Sequence, residues 1–103
     1  MKRMLELSAK ILDLSSIVQV APDQLSCDLS GEAAILNLSN GVYYGLDPLG
    51  ARIWSLLQEP RSVATIRDTI LAEYDVMPER CEQDLLDLLR KLQLEGLIKS
   101  LAA

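Results

Sequence analysis

Apolar residues recur along this chain with two different periods, and the change from one to the other divides it. Leu25, Cys27 and Leu29 alternate with Ser26 and Asp28, the two-residue period of a half-buried strand. Ser30-Gly31-Glu32 then turns the chain into a β-like apolar run over residues 33–38. A second such run covers residues 42–46 and contains Tyr43 and Tyr44. Between the runs stand Asn40 and Gly41, which both tolerate positive φ, so a tight antiparallel hairpin is expected there. Residues 17–21 form a short extended segment ahead of these strands, ended by Pro22-Asp23.

After residue 46 the period becomes helical. Asp47 sits where an N-cap belongs and Pro48 where the first helical residue belongs. Residues 48–58 place Leu49, Ile53, Trp54 and Leu57 on one face, and Glu59-Pro60-Arg61 closes that helix. Ser62 caps a second helix over residues 63–74, whose Val63, Ile66, Ile70 and Leu71 share a face. Residues 75–77 link onward, because Pro78 disfavours helix in Met77. The longest helix runs from Pro78 to Glu95 with a stripe of Cys81, Leu85, Leu88, Leu89 and Leu92, and Gly96 ends it. Residues 1–14 carry Met4, Leu7, Ile11 and Leu14 at helical spacing, an N-terminal helix or arm set apart from a domain over residues 15–103. The expected architecture is α+β, a three-stranded antiparallel sheet followed by three helices, winged-helix-like. Internal repeats, low-complexity tracts and linkers are not evident.

If no later strand pairs with residues 42–46, that strand keeps a row of unpaired amides and carbonyls beside a helix, and such an edge can bind a peptide. Tyr43 and Tyr44 point to opposite faces, one packing inward and one exposed. Gly45 either removes a side chain where a peptide approaches closely or marks a bulge.

Composition narrows the function. The chain has 103 residues, enough for one domain, and is 50% hydrophobic but 4% aromatic with no Phe, so its core is Leu, Ile, Val and Ala. A net charge of -5 argues against nucleic acid and against anionic membrane surfaces. With two distant cysteines and no His, neither a metal site nor a Ser-His or Cys-His pair is expected, and glycine-rich nucleotide patterns are absent. No enzyme activity and no cofactor are therefore expected. A reduced, cytoplasmic setting fits the cysteine usage, and Glu6 and Lys10 interrupt any signal-peptide core. Cys27 and Cys81 read as small buried apolar residues, Trp54 as a core anchor beneath the sheet, and Arg52 as a partner for Asp47 or Glu59.

Four features resemble the PqqD-like family of peptide-binding proteins, the RiPP recognition elements. They are the strand-turn-strand over residues 33–46, the run Tyr43-Tyr44-Gly45-Leu46-Asp47, the run Gly50-Ala51-Arg52-Ile53-Trp54, and the terminal Leu92, Gly96, Leu97 and Ile98. The resemblance spans residues 17 to 99 and is strongest to stand-alone members encoded with lasso-peptide pathways. It implies a non-catalytic domain that captures the leader of a ribosomally made precursor peptide by strand addition. The captured leader is then presented to a leader protease of transglutaminase-like type or to another maturation enzyme. It also implies that the long helix forms the second wall of the site. The peptide-binding residues so expected are Val42, Tyr43, Tyr44, Gly45 and Leu46 on the strand, with Cys81, Asp84, Leu85 and Leu88 on the helix. Asp84 serves as a hydrogen-bond acceptor for the leader or, with Glu79 and Glu82, simply favours the positive end of the helix.

Two other functions compete with this one. The same fold can serve the pyrroloquinoline quinone pathway, delivering a peptide to a radical SAM enzyme. A winged-helix DNA-binding regulator would need a basic reading helix, where residues 63–74 offer Arg67 against Asp68 and Glu73. The apolar N-terminal arm and an exposed edge strand leave a homodimer open.

Overall fold

The computed structural model describes residues 12–101. Most of the arm expected over residues 1–14 lies outside the described residues; of its end, Leu12 is buried and Leu14 packs against the core.

The chain opens with β1 (Ile17–Val20), followed by β2 (Gln24–Leu29), β3 (Glu32–Asn37) and β4 (Tyr43–Leu46). Helix α1 (Pro48–Leu56) leads to a two-residue strand β5 (Arg61–Ser62), then α2 (Val63–Glu73), α3 (Pro78–Leu94) and β6 (Ile98–Leu101). The strands form two antiparallel three-stranded sheets, ordered β2-β3-β4 and β5-β1-β6. With three helices this is the α+β, winged-helix-like architecture expected.

Local chemistry fixes the first sheet. Ser30 and Gly31 both take positive φ (55° and 88°), the geometry of a two-residue turn that matches strand twist, and Leu29 pairs with Glu32 across it. The β3–β4 connection is wider than the tight hairpin expected at Asn40-Gly41. Asn37 donates its N–H to the Val42 carbonyl at 2.9 Å and accepts from the Gly41 N–H at 2.8 Å, so residues 38–41 form the loop. Gly41 alone adopts positive φ there, and Asn40 instead accepts the Val42 N–H through its side chain.

The helix caps follow the sequence. Asp47 Oδ1 accepts from the Gly50 N–H at 2.8 Å with Pro48 in the first turn, and Ser62 Oγ accepts from the Thr65 N–H at 3.1 Å. Gly96, at φ 77°, ends α3 and lets the Leu97 N–H reach back to the Leu92 carbonyl. That reversal sends the chain into β6, a strand the periodicity did not indicate. It turns the short segment at residues 17–21 into the centre of a second sheet, with Val18 opposite both Arg61 and Ser100.

The core lies between β3 and the helices. Ile35, Ile53, Trp54, Leu57, Val63, Ile66, Ile70 and Leu89 are all buried there, with Val18, Leu97 and Ile98 contributed by the second sheet. Strand β2 corrects one expectation. Ser26 lies opposite the buried Ile35 and Cys27 opposite Ala34, so the polar phase of β2 faces the helices and the apolar phase faces outward. Cys27 is accordingly exposed rather than buried, whereas Cys81 is buried.

Candidate functional site

Strand β4 pairs with β3 alone among the described residues, so its other edge is free. In an antiparallel ladder the main-chain groups of alternate residues point toward and away from the neighbour. The Asn37 to Val42 bond sets the phase: Val42, Tyr44 and Leu46 pair inward, and Tyr43 and Gly45 turn their N–H and C=O groups outward. Beside this edge lies a groove of about 430 Å³ whose opposite wall is α3.

The groove's wall on the strand side is Gly45 and Leu46, and on the helix side Cys81, Asp84, Leu85 and Leu88. These are six of the residues expected from sequence, brought to one place. Val42, Tyr43 and Tyr44 belong to the same hairpin but lie outside the hollow. Val42 and Tyr43 are exposed, and Tyr44 turns inward against the core. Its hydroxyl donates to Glu95 Oε1 at 2.5 Å, while Asn37 Nδ2 donates to the Glu95 carbonyl at 2.9 Å. The Glu95 residue, just past α3, is thereby tied to both strands of the hairpin, and this joins the two walls. The hydrogen bond to the Glu95 carboxylate, then burial and the Glu95 charge, push the Tyr44 phenol above its usual value.

Gly45 has no conformational need for glycine. Its φ is not in the left-handed region, the ladder runs through it without a bulge, and a Cβ there would meet nothing within 4 Å. Asp84 is engaged by Arg80 at 3.2 Å across one helical turn, both side chains being exposed. Burial pushes the Cys81 thiol up, opposed by Arg67 and reinforced by Asp84 and Glu82, which favours the neutral thiol where it lines the groove.

Several lining residues escape a reading of the sequence alone. Leu49 and Ile53 of α1 and Ile70 of α2 form the base, and Arg80 and Lys91 stand on α3 with Asp84 and Leu88. The signal for the last two exists: positions 80, 84, 88 and 91 recur at helical spacing and share a face. Leu49, Ile53 and Ile70 read as core because a groove floor and a core face have the same pattern. Neither Lys91 nor Asp47, which also lines the groove, forms an ion pair among the described residues, so the groove carries one unpaired charge of each sign.

The arginines of α1 and α2 are both paired with acids. Arg52 pairs with neither Asp47 nor Glu59 but reaches Glu73 on α2 through Nε and Nη2, at 2.9 and 2.7 Å. The Arg67 guanidinium is held by Asp68 and Glu82, leaving α2 without a free basic face. Among the described residues no group of three or more potential ligands could hold a metal ion, and no helix is long and apolar enough to cross a membrane.

A winged-helix-like domain with one sheet edge open onto a helix-walled groove is the frame of a peptide-recognition module. The family model described as coenzyme PQQ synthesis protein D (PqqD) matches residues 32–98, from β3 to the start of β6. The chain belongs to the PqqD family. Among solved structures it is similar to "TbiB1 in Complex with the TbiA(beta) Leader Peptide", with 39% identity and a TM-score of 0.76, covering 82% of this chain and 99% of that one. It shares its fold with "Lasso peptide synthetase B1 complexed with the leader peptide", at 22% identity and TM-score 0.71, over 80% of this chain and 96% of that one. No curated protein matches.

Proposed function

We propose that this chain is a non-catalytic adaptor that binds the leader segment of a ribosomally synthesised precursor peptide, in a pathway of lasso type. The observation that carries the reading is the free edge of β4 facing α3 across the groove, in a chain that is 39% identical to a protein named as a complex with a leader peptide. An extended leader adds antiparallel to β4, hydrogen-bonding to the outward main-chain groups of Tyr43 and Gly45. It presses apolar side chains on Cys81, Leu85 and Leu88. Each such side chain, if fully buried, contributes on the order of 1.5–3 kcal/mol. Lys91 favours a leader carboxylate at its end of the groove, and a reduced, cytoplasmic setting fits such a role.

The adaptor hands the tethered leader to a leader protease of transglutaminase-like type, raising effective concentration rather than supplying chemistry. A second reading, delivery of a peptide to a radical SAM enzyme in the PQQ pathway, is favoured by the family model that matches. Titration of synthetic leaders from precursors encoded beside the gene tests the first reading. Saturable binding, with the guest's amides protected from exchange, is the expected result. Failure of every neighbouring precursor to bind would remove the proposal, and a PQQ-type precursor alone binding would select the second reading.

A further inference from the structure

The sheet β2-β3-β4 turns one face to the helices and the other outward, and its register sorts the outward side chains into rows. Leu25, Leu36 and Tyr43 lie side by side across the three strands and form a ridge of large apolar groups. The next row, Cys27, Ala34 and Gly45, is a trough of small ones. A Cβ at Gly45 would meet nothing within 4 Å, and its absence keeps that end of the trough open. Leu29 and Glu32 make the last row, beside the turn, and Glu32 carries the one charge on this face.

Leu25, Tyr43 and Leu29 are 60%, 66% and 51% exposed, and Cys27 is exposed between them. A contiguous apolar patch at the surface marks an interaction site. The chain enters the described structure on the wrong side to cover it. Leu12 is buried in the core on the helix side of the sheet, and the Leu14 carbonyl accepts from the Ala64 N–H at the start of α2. A partner selected by charge finds little to read on a face with one carboxylate at its corner. Shape is what remains. The ridge and the trough run parallel and span the same three strands, so the face is complementary to itself.

We infer that this face pairs with the same face of a second copy of the chain. A two-fold axis between the sheets, parallel to the rows and midway between ridge and trough, seats the ridge of each copy in the trough of the other. The same axis carries the two Glu32 carboxylates to opposite ends of the contact. Burial of the exposed leucines and Tyr43 drives the association. Three short strands offer less than the roughly 1,600 Å² of a standard interface, so the dimer is weak, with a Kd on the order of 10⁻⁴ M. The pairing uses a face and not an edge, so it leaves the β4 groove free and does not depend on the leader-binding reading.

Sedimentation equilibrium of the full chain, from about 10 µM to about 1 mM, provides the test. The expected result is a reversible monomer–dimer equilibrium. Leu25→Glu, in the ridge, should weaken it at least about tenfold, because a two-fold contact meets each substitution twice. Ala34→Leu separates fit from mere stickiness. Filling the trough should weaken the dimer about tenfold, whereas an unspecific patch would associate more tightly with an added leucine. Leu94→Glu, at a leucine 85% exposed on α3, should leave the equilibrium unchanged. Alkylation of Cys27 by iodoacetamide needs no variant, and by mass action it should slow about fivefold from the dilute to the concentrated end. A chain that stays monomeric throughout, with Cys27 equally reactive at both ends, would overturn the inference and leave the face to a different protein. A dimer untouched by Leu25→Glu, strengthened by Ala34→Leu or dissolved by Leu94→Glu would overturn it too, by placing the contact elsewhere.

Discussion

The two sheets of this domain contain equal numbers of strands and differ in nearly everything else. The β5-β1-β6 sheet joins segments distant in sequence, with Val18 opposite Arg61 and Ser100, and its centre is sealed: Val18 is 0% and Ile98 3% exposed. The β2-β3-β4 sheet is two local hairpins around a largely buried middle strand. Among the described residues its outer strands each keep one unpaired edge, as β5 and β6 also do, but only β4 opens onto the groove walled by α3. Pairings of high sequence separation carry a larger loop-closure cost and must be compensated by burial. Local hairpins set their register through their own turns and carry no such cost. One sheet therefore ties the ends of the chain together, and the other is assembled locally and borders the groove.

The sharpest way to break this comparison is to truncate one side chain in each sheet. Ile98→Ala should destabilise the protein by about 2–5 kcal/mol. Leu25→Ala, on the open sheet's outer face, should change stability by no more than about 0.5 kcal/mol. Urea unfolding midpoints decide between them, and equal losses would erase the distinction. Next in size is binding at β4. Gly45→Pro removes an outward amide without touching the β3 ladder and should weaken a leader about tenfold by calorimetry. Gly45→Ala, whose Cβ meets nothing in the free protein, should fold normally, so any affinity it loses measures how closely a guest approaches.

Smaller effects refine the picture. Tyr44→Phe cuts the tie between β4 and Glu95, and should lower the melting temperature modestly while weakening leader binding through a looser wall. The Tyr44 phenol is held above its ordinary 10.0, so the neutral form is favoured in the fold. Its contribution is present below pH 10 and lost as pH rises through the raised value, a loss absent from Tyr44→Phe. Smallest is the exposed Arg52–Glu73 pair. Hydrogen bonding to Arg52 lowers Glu73 from 4.5, so this pair stabilises above that pH and ceases to do so as pH falls through the lowered value. Arg52→Ala should remove that slope from an acid titration of stability, with a small loss at neutral pH that disappears once Glu73 is protonated.

Much of the open sheet and its groove was readable because its determinants are local. The Asp47-Pro48 start, the Ser62 cap and the α3 stripe each act within one or two turns of chain, and all stand where the sequence places them. What escaped reading depends on distance or on phase. Strand β6 is four residues long and gains its identity from β1, across most of the chain. The facing of β2 is a matter of a single step in register, because a slip of one residue exchanges the two faces. The turn at Ser30-Gly31 selects the phase that puts Cys27 outside, against the alternation of its own apolar residues. Arg52 found Glu73 on a separate helix, a partner that no spacing announces.

The brevity of β4 has a kinetic meaning. Four residues expose main-chain partners at Tyr43 and Gly45 alone, so a guest gains at most a few hydrogen bonds of about 0.5–1.5 kcal/mol each. A grip that slight cannot hold cargo by backbone alone; residence must be lengthened by whichever side chains the visitor brings. Processed leaders that lose those side chains would leave quickly, and the berth would clear itself for the next round.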